Sequence, residues 1–169
     1  MEALRNVEQV AAHLAVQVVV TVVQFHHPRA RALQRRITPL VDELGLRARG
    51  EWRGPLSAFD TFSRELTAHM REEEAVLFDR VQFLMVRGQL TFGALGDARA
   101  DFEALMEEHE RMGALRRRLA RELDATVSRA AELAPVRAAL REFVTAFVEH
   151  HDFEARALVP TLRPFLVEP

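Results

Sequence analysis

Three short stretches rich in glycine or proline divide the chain into four long segments, and this division most limits the fold. The stretches are 45–55 (GLRARGEWRGP), 87–97 (RGQLTFGALGD) and 131–135 (AELAP). The segments between them are rich in alanine, leucine, arginine and glutamate, which favour helix. The predicted helices span 4–44, 57–86, 98–129 and 135–159. Short connections between four helices predict an all-α, up-down-up-down four-helix bundle. We expect a single domain over 1–169, in which 1–20 form an N-terminal helical extension.

Some local signals refine or oppose these helices. The stretch VQVVVTVVQF (16–25) is β-branched and favours a strand, but no comparable partner strand exists, so we predict helix. Pro28 should kink or split the first helix, because proline lacks an N–H and clashes with the preceding turn. Ser57 and Asp97 are the predicted N-caps, and Pro160 is the predicted stop of the last helix.

Composition excludes several classes of function. The formal charge is −2 and there is no basic cluster beyond short arginine runs, which argues against nucleic-acid binding. The absence of cysteine excludes disulfides, Fe–S clusters and thiol catalysis. The longest apolar run, 14–25, contains two glutamines and is too short to span a bilayer. With no signal-peptide n-region, the expected location is cytoplasmic.

Each predicted helix carries one histidine on its inward apolar stripe, and two helices add a glutamate one turn later. Residues four apart on a helix lie on the same face, so each of these glutamates lies beside its histidine. In antiparallel helices the four histidines fall at the same depth. The residues in this predicted layer are His26, His69, Glu73, His109, His150 and Glu154.

A single inward histidine is usually an ordinary hydrogen-bonded core residue. Here the metal-free alternative requires four histidines and two carboxylates buried together, at a cost of several kcal/mol for each uncompensated glutamate. Bound cations remove that cost. The ligand set is too large for one tetrahedral zinc and too rich in nitrogen for calcium or magnesium. It suits two first-row ions that share both glutamates as bridges, as in non-haem iron proteins.

Other polar residues near this layer have simpler interpretations. His27 and His151 flank the inward stripe, and each is the substitute ligand if the helical register differs by one residue. Glu72 and Glu74 are expected at a solvated edge. Glu65, one turn before His69, is the expected hydrogen-bond acceptor for that histidine, because a ligand histidine usually has its other nitrogen hydrogen-bonded.

Four sequence motifs resemble those of the hemerythrin-like, or HHE cation-binding, family, and most closely those of its di-iron repair-of-iron-centres proteins. The motifs are FHHPRARALQRRITPL, ELTAHMREEEAVLF, LMEEHERMG and EHHDFEARALVP, and the resemblance covers about 20–162. It implies His26, rather than His27, as the first-helix ligand, together with the other five residues of the layer. Hemerythrin has a further histidine where Gly113 stands and an aspartate where Glu154 stands, which disfavours a five-histidine oxygen carrier.

These observations predict a non-haem di-iron protein with two iron ions in an oxo- or hydroxo-bridged centre. It would bind or react with O₂, NO or peroxide in an oxidative or nitrosative stress response or in iron-centre repair. The alternative is a reversible O₂-sensing or iron-sensing module without turnover, so whether the protein is an enzyme stays open. A third alternative is a metal-free bundle that acts as a protein partner.

The valines of the first helix suggest a further hypothesis. They cover most of its circumference, and Val16, Val20 and Val23, or Val18 and Phe25, lack an obvious cover. Such an apolar strip favours a two-fold homodimer through this helix. The alternative is that the loop over 87–97, with Leu90 and Phe92, covers the strip within one chain.

Overall fold

A computed structural model describes the backbone of residues 2–126 and 131–167, and the side chains of residues 5–126 and 131–167. The regular structure of these residues is helical. The first long helix comprises α1 (Glu2–Thr21), a π-helical turn (Val22–His26) and α2 (His27–Glu43). The second comprises α3 (Arg53–Glu72), a π-helical turn (Glu73–Phe78) and α4 (Asp79–Val86).

The third long helix is α5 (Arg99–Ala125). The fourth comprises α6 (Ala134–Phe153), a π-helical turn (Glu154–Leu158) and α7 (Val159–Leu166). Short 3₁₀ turns lie in the connections, at Leu46–Ala48, Gly50–Trp52, Gly96–Ala98 and Ala131–Leu133. The structure confirms the predicted four-helix bundle.

The bundle packs α3 against α5 and α2 against α6, while α1 packs against α4 and α7. Its interior contains two apolar clusters. The first cluster includes Trp52, Phe62 and Phe143, and the second includes Val19 and Phe165. Along each of the four long helices, the residues of one cluster are separated from those of the other by one or more histidine or glutamate residues. The polar layer therefore lies between two apolar layers, which keep water away from it on both sides.

Several predicted helix ends are wrong. Ser57 lies inside α3, which begins four residues earlier, and Asp97 lies in a 3₁₀ turn, where no side-chain cap is formed. Pro160 does not stop the last helix, which continues to Leu166. Pro28 does not split the first helix either. Both prolines closely follow a π-helical turn, where the regular i→i−4 hydrogen bonds are already interrupted, so a missing N–H costs less there. The predicted end of the third helix at 129 lies outside the described residues.

The stretch 16–25 is helical, as predicted, and much of it packs within the chain. Val18, Val19 and Val22 are buried in the second apolar cluster, which also contains Leu90 and partly buried Phe92. The 87–97 loop thus takes part in covering this helix. The homodimer stays a hypothesis. Val18 is not available for its interface, because Val18 is buried within the chain.

The helix over Arg5–Glu43 is long and apolar enough, by length and composition alone, to cross a membrane. This differs from the sequence estimate, which counted only the uninterrupted run at 14–25. A mostly buried core helix of a soluble protein passes the same test, and so does a signal sequence near the N-terminus. Because this helix also carries buried valines of the second apolar cluster, its apolar character has a role within the bundle itself.

Candidate metal centre

Three π-helical turns lie at the polar layer, and one of them decides which first-helix histidine faces inward. An α-helix brings a residue back to the same face after three or four positions, whereas a π-helical turn takes five. Val22 is fully buried, and the residue five positions later, His27, is fully buried too. The sequence prediction of His26 assumed uninterrupted α-helical spacing. The structure therefore differs from that prediction by one residue.

Six side chains meet in the layer, in two overlapping groups. His27 and His150, with both Glu73 and Glu154, form the first group, here called site 1. His69 and His109, with the same two glutamates, form the second, called site 2. Within each group the potential ligand atoms all lie within 4.8 Å of one another. Five of the six residues were predicted from the sequence, and the sixth is His27 in place of His26.

Each glutamate faces one histidine of each site. Glu73 Oε2 lies 3.2 Å from the Nε2 of His27 and 3.5 Å from that of His69. Glu154 lies 3.1 Å from His109 Nε2 through Oε2, and 3.3 Å from His150 Nε2 through Oε1. Both carboxylates are therefore within reach of a cation in either of the two groups.

The layer contains polar atoms that the protein alone leaves unsatisfied. Among the described residues, Glu73 Oε1, both carboxylate oxygens of Glu154 and both ring nitrogens of His150 are buried without a hydrogen-bond partner. Nε2 of His69 and Nε2 of His109 face each other at 2.8 Å, so a proton or a cation must lie between their lone pairs. Cations would satisfy these atoms and offset the cost of burying them. The residues present therefore fit a metal centre.

A comparison with protein-family models matches residues 18–162 to the hemerythrin HHE cation-binding domain. The chain belongs to this hemerythrin family. Membership implies that the protein binds a metal ion, typically iron, and the buried histidine and glutamate cluster fits that role. A search of curated proteins found no match, and neither did a search of solved structures. The closer likeness to repair-of-iron-centres proteins stays a prediction.

Burial sets the protonation of the hemerythrin site before metal enters. It raises the pKa of Glu73 to about 8, with a further contribution from the nearby Glu154, and it raises the pKa of Glu154 to about 8. Burial also lowers the pKa of His69 to about 3 and of His109 to about 4, and it lowers the pKa of His150 well below its ordinary value. At neutral pH the imidazoles of His69, His109 and His150 are thus neutral, the form that binds metal, and bound cations displace protons from the glutamates.

These shifts predict that the metal-free protein is most stable near pH 6.5. As the pH falls below about 6.5, these histidines become protonated in the unfolded chain but stay neutral in the folded chain. The free energy of unfolding therefore falls. As the pH rises from about 4.5 to 8, the unfolded chain releases glutamate protons that the folded chain keeps, which also lowers that free energy. Below pH 6.5 the effect of the three histidines on the free energy of unfolding is larger than the opposite effect of the two glutamates. Above pH 6.5 only the glutamates change this free energy.

Urea unfolding of metal-free protein should therefore show a loss on the order of 3 kcal/mol between pH 6.5 and 8. Metal-loaded protein is the control, because bound cations keep the carboxylates ionised and should abolish this loss. Equal stability of the metal-free protein at the two pH values would contradict the buried, protonated state of the glutamates.

Hydrogen bonds from outside the layer orient one histidine of each site. His27 Nδ1 lies 2.7 Å from Glu74, whose two oxygens each accept a 2.9 Å hydrogen bond from Arg31. His69 Nδ1 lies 3.1 Å from Glu108, which accepts a 2.9 Å hydrogen bond from Arg111. When each Nδ1–H donates to its carboxylate, Nε2 is left with the lone pair that a metal needs.

Two predictions about these outer residues are wrong. Glu65 is exposed and pairs with Arg64 at 3.7 Å, so the acceptor for His69 is Glu108 from the neighbouring helix. Glu74 is not simply solvated: burial acts to raise its pKa, but hydrogen bonds from Arg31 and His27 outweigh burial and lower that pKa. Glu74 directly follows Glu73 in the sequence, and Glu108 directly precedes His109. This adjacency is the one sequence signal for the two carboxylates that orient the histidines.

The two flanking histidines lie beside the layer. The ring of His26 lies 4.9 Å from that of Phe153, and burial lowers its pKa, with Arg29 adding to the effect. The ring of His151 lies 5.1 Å from that of His109, and it is half-buried. Neither histidine belongs to site 1 or site 2.

Proposed function

We propose that this hemerythrin-family protein holds two iron ions and uses them to bind or react with O₂, NO or peroxide. The observation that carries the proposal is the position of Glu73 and Glu154, each of which faces one histidine of site 1 and one of site 2. Two histidines and two shared carboxylates supply four protein ligands to each ion. That number leaves coordination positions open for a small exogenous ligand.

The side chains around the layer support such chemistry. The two apolar clusters exclude bulk water from both ends of the layer, which strengthens the electrostatic interactions inside it. The Glu74 and Glu108 carboxylates hold His27 and His69 in the orientation and tautomer that direct Nε2 inward. Iron bound here would supply redox chemistry and Lewis acidity to the small ligand.

We further propose a role in oxidative or nitrosative stress, or in iron-centre repair, inside the cytoplasm. The support is the set of motifs that resemble the repair-of-iron-centres proteins, together with a four-histidine, two-glutamate site in place of a five-histidine one. The partners would be a small diatomic molecule or peroxide, without nucleic acid or membrane. The homodimer through the first helix belongs to the same set of proposals.

Protein reconstituted anaerobically with ferrous iron should contain about two iron ions per chain, by the number of ligands that each ion needs. On oxidation it should absorb in the near ultraviolet and visible, as ferric pairs do. Elemental analysis and optical spectra check both expectations. A firm value of one iron ion would contradict the paired site, and a chain that takes up no metal would leave only the metal-free bundle.

Exposure of the iron-loaded protein to each small molecule then separates the two main alternatives. A reactive protein consumes NO or peroxide over repeated additions. A sensing module binds O₂ or NO reversibly in a fixed ratio to iron, and its spectrum recovers when the gas is removed.

A further inference from the structure

A cleft of about 540 Å³ lies between α5 and α6 and reaches the metal centre at one residue. Its walls include His109, Gly113, Arg116, Arg117, Val148 and His151, and it is called the His109 cleft here. Of the six residues of sites 1 and 2, His109 is the one that lines it and is also the most exposed, at 5%. A smaller cleft of about 270 Å³ ends at Glu108 and Arg111 and contains none of the six. The opening therefore leads to site 2 rather than to site 1.

Gly113 keeps the His109 cleft open. It lies one helical turn after His109 on α5, where any side chain would project into the same space. A Cβ at this position would lie 3.4 Å from Nη1 of Arg117, so the guanidinium of Arg117 lies directly over the glycine. Glycine lowers helix stability in the middle of a helix, and here its lack of a side chain leaves room beside His109.

Two arginines in the cleft wall, Arg116 and Arg117, can attract a small anion. Arg116 and Arg117 both line the cleft, and neither forms an ion pair with a carboxylate of the described residues. Asp152 also lines the cleft, but it pairs with Arg156 at 3.5 Å. Glu110, the other acid in the wall, is exposed to solvent, as is Arg117, whereas Arg116 is half-buried.

The metal centre adds to this field. Two divalent or trivalent cations with four neutral imidazoles and two carboxylates carry a net positive charge. The two guanidinium groups and the centre thus present positive charge along one path, from the cleft mouth to site 2.

We propose that the His109 cleft is the route by which a small inorganic anion reaches the ion at site 2, and that Arg116 and Arg117 attract the anion. This inference rests on the proposed function, since it assigns the ligand-binding position to one of its two ions. Site 1 lies away from the cleft, since none of the four residues of site 1 lines it.

The test uses azide as the anionic probe and the growth of its optical band on the iron-loaded protein. Gly113→Leu should fill the cleft and slow azide association roughly tenfold or more, with the iron content unchanged. Gly113→Ala is the matched control, because its single methyl group needs only a small movement of Arg117, and its rate should stay near that of the unmodified protein. A Gly113→Leu variant with full iron content and an unchanged azide rate would overturn the route.

The arginines are tested separately. Arg116→Gln with Arg117→Gln should slow azide association by roughly three- to tenfold and weaken its dependence on salt, whereas Arg118→Gln on the exposed side should change neither. Association of NO, a neutral probe, should be slowed by Gly113→Leu but not by the arginine substitutions. Equal azide rates in the double arginine variant and the unmodified protein would overturn the role of charge.

Two further measurements keep the test decisive. If Gly113→Leu lowers the iron content, Val148→Phe fills the cleft from the α6 side and the same rates are compared.

In metal-free protein, azide should shift the amide resonances of Gly113 and Arg117. A chain that holds no iron but shows these shifts would refute the proposed function and keep the anion cleft. The absence of the shifts in metal-free protein, together with unchanged rates in the loaded variants, would reject the cleft.

Discussion

His27→Ala should abolish the visible absorption of iron-loaded protein and leave about one iron ion or fewer per chain, whereas His26→Ala should keep both. His27 is fully buried, and its Nε2 lies 3.2 Å from the shared carboxylate Glu73. Its removal takes one of four protein ligands from site 1. It also leaves Glu74 without the imidazole that it orients. The loss of iron affinity should exceed the 10- to 100-fold that is typical when only an outer hydrogen-bond partner of a ligand is removed.

His26 is the matched control because it is adjacent in sequence, of the same chemical type and also largely buried, at 9% exposure. Both variants are reconstituted with ferrous iron in the same way, and iron content, optical spectra and thermal unfolding are compared. Iron loss from His26→Ala, with normal iron in His27→Ala, would show that the first-helix ligand follows the uninterrupted α-helical spacing instead. Unchanged helical content in both variants ensures that the comparison concerns the site rather than folding.

Glu73→Gln should prevent iron from pairing at the centre and, at the same time, stabilise the metal-free protein at alkaline pH. Glutamine cannot supply the charged oxygens with which Glu73 would bridge the two proposed iron ions. In the metal-free protein, however, it removes a fully buried acid whose pKa is about 8. At pH 8 ionisation of this acid lowers the free energy of the unfolded chain much more than that of the folded chain. The substitution removes that difference, which is on the order of 2–4 kcal/mol.

Urea unfolding of the metal-free proteins at two pH values measures this effect. The gain from Glu73→Gln should be largest at pH 8 and small at pH 4, where the acid is mostly protonated in both the folded and the unfolded state. Glu65→Gln is the control, since Glu65 is exposed on the same helix. This substitution should change the free energy of unfolding by no more than about 0.5 kcal/mol and leave the iron content unchanged. Equal stability of the unmodified and Glu73→Gln proteins at pH 8 would show that Glu73 is not held in its protonated form.

The two expectations describe one trade-off. Glu73 and Glu154 are costly to bury and lower the stability of the metal-free chain. They are retained at positions where their oxygens face one histidine of each site. Sites built for function often carry such a cost in stability, which a bound ligand offsets.

Much of the fold and most of the candidate site follow from local sequence pattern. The glycine- and proline-rich breaks mark the connections between long helices, and the apolar stripe of each helix places a histidine among core residues. His69 and Glu73, and likewise His150 and Glu154, are joined by a regular α-helical turn. Spacing of four along one helix therefore suffices to put each pair on one face.

The remaining features required the tertiary structure. The π-helical turn at Val22–His26 moves the inward position from His26 to His27, and no residue in that stretch marks such a turn by its type. The last helix passes Pro160 because another π-helical turn precedes it. Glu108, rather than Glu65, accepts the hydrogen bond from His69 because it lies on a different helix.

These differences share a physical reason. Periodicity reports which residues share a face of one regular helix, and it carries no information about an added residue in a turn or about contacts between helices. The sequence by itself therefore determined the helical bundle and five of the six residues that meet in its polar layer. Packing between the helices decided the sixth, the carboxylates that orient the histidines, and the cleft that leads to His109, because each of these depends on how two helices face each other.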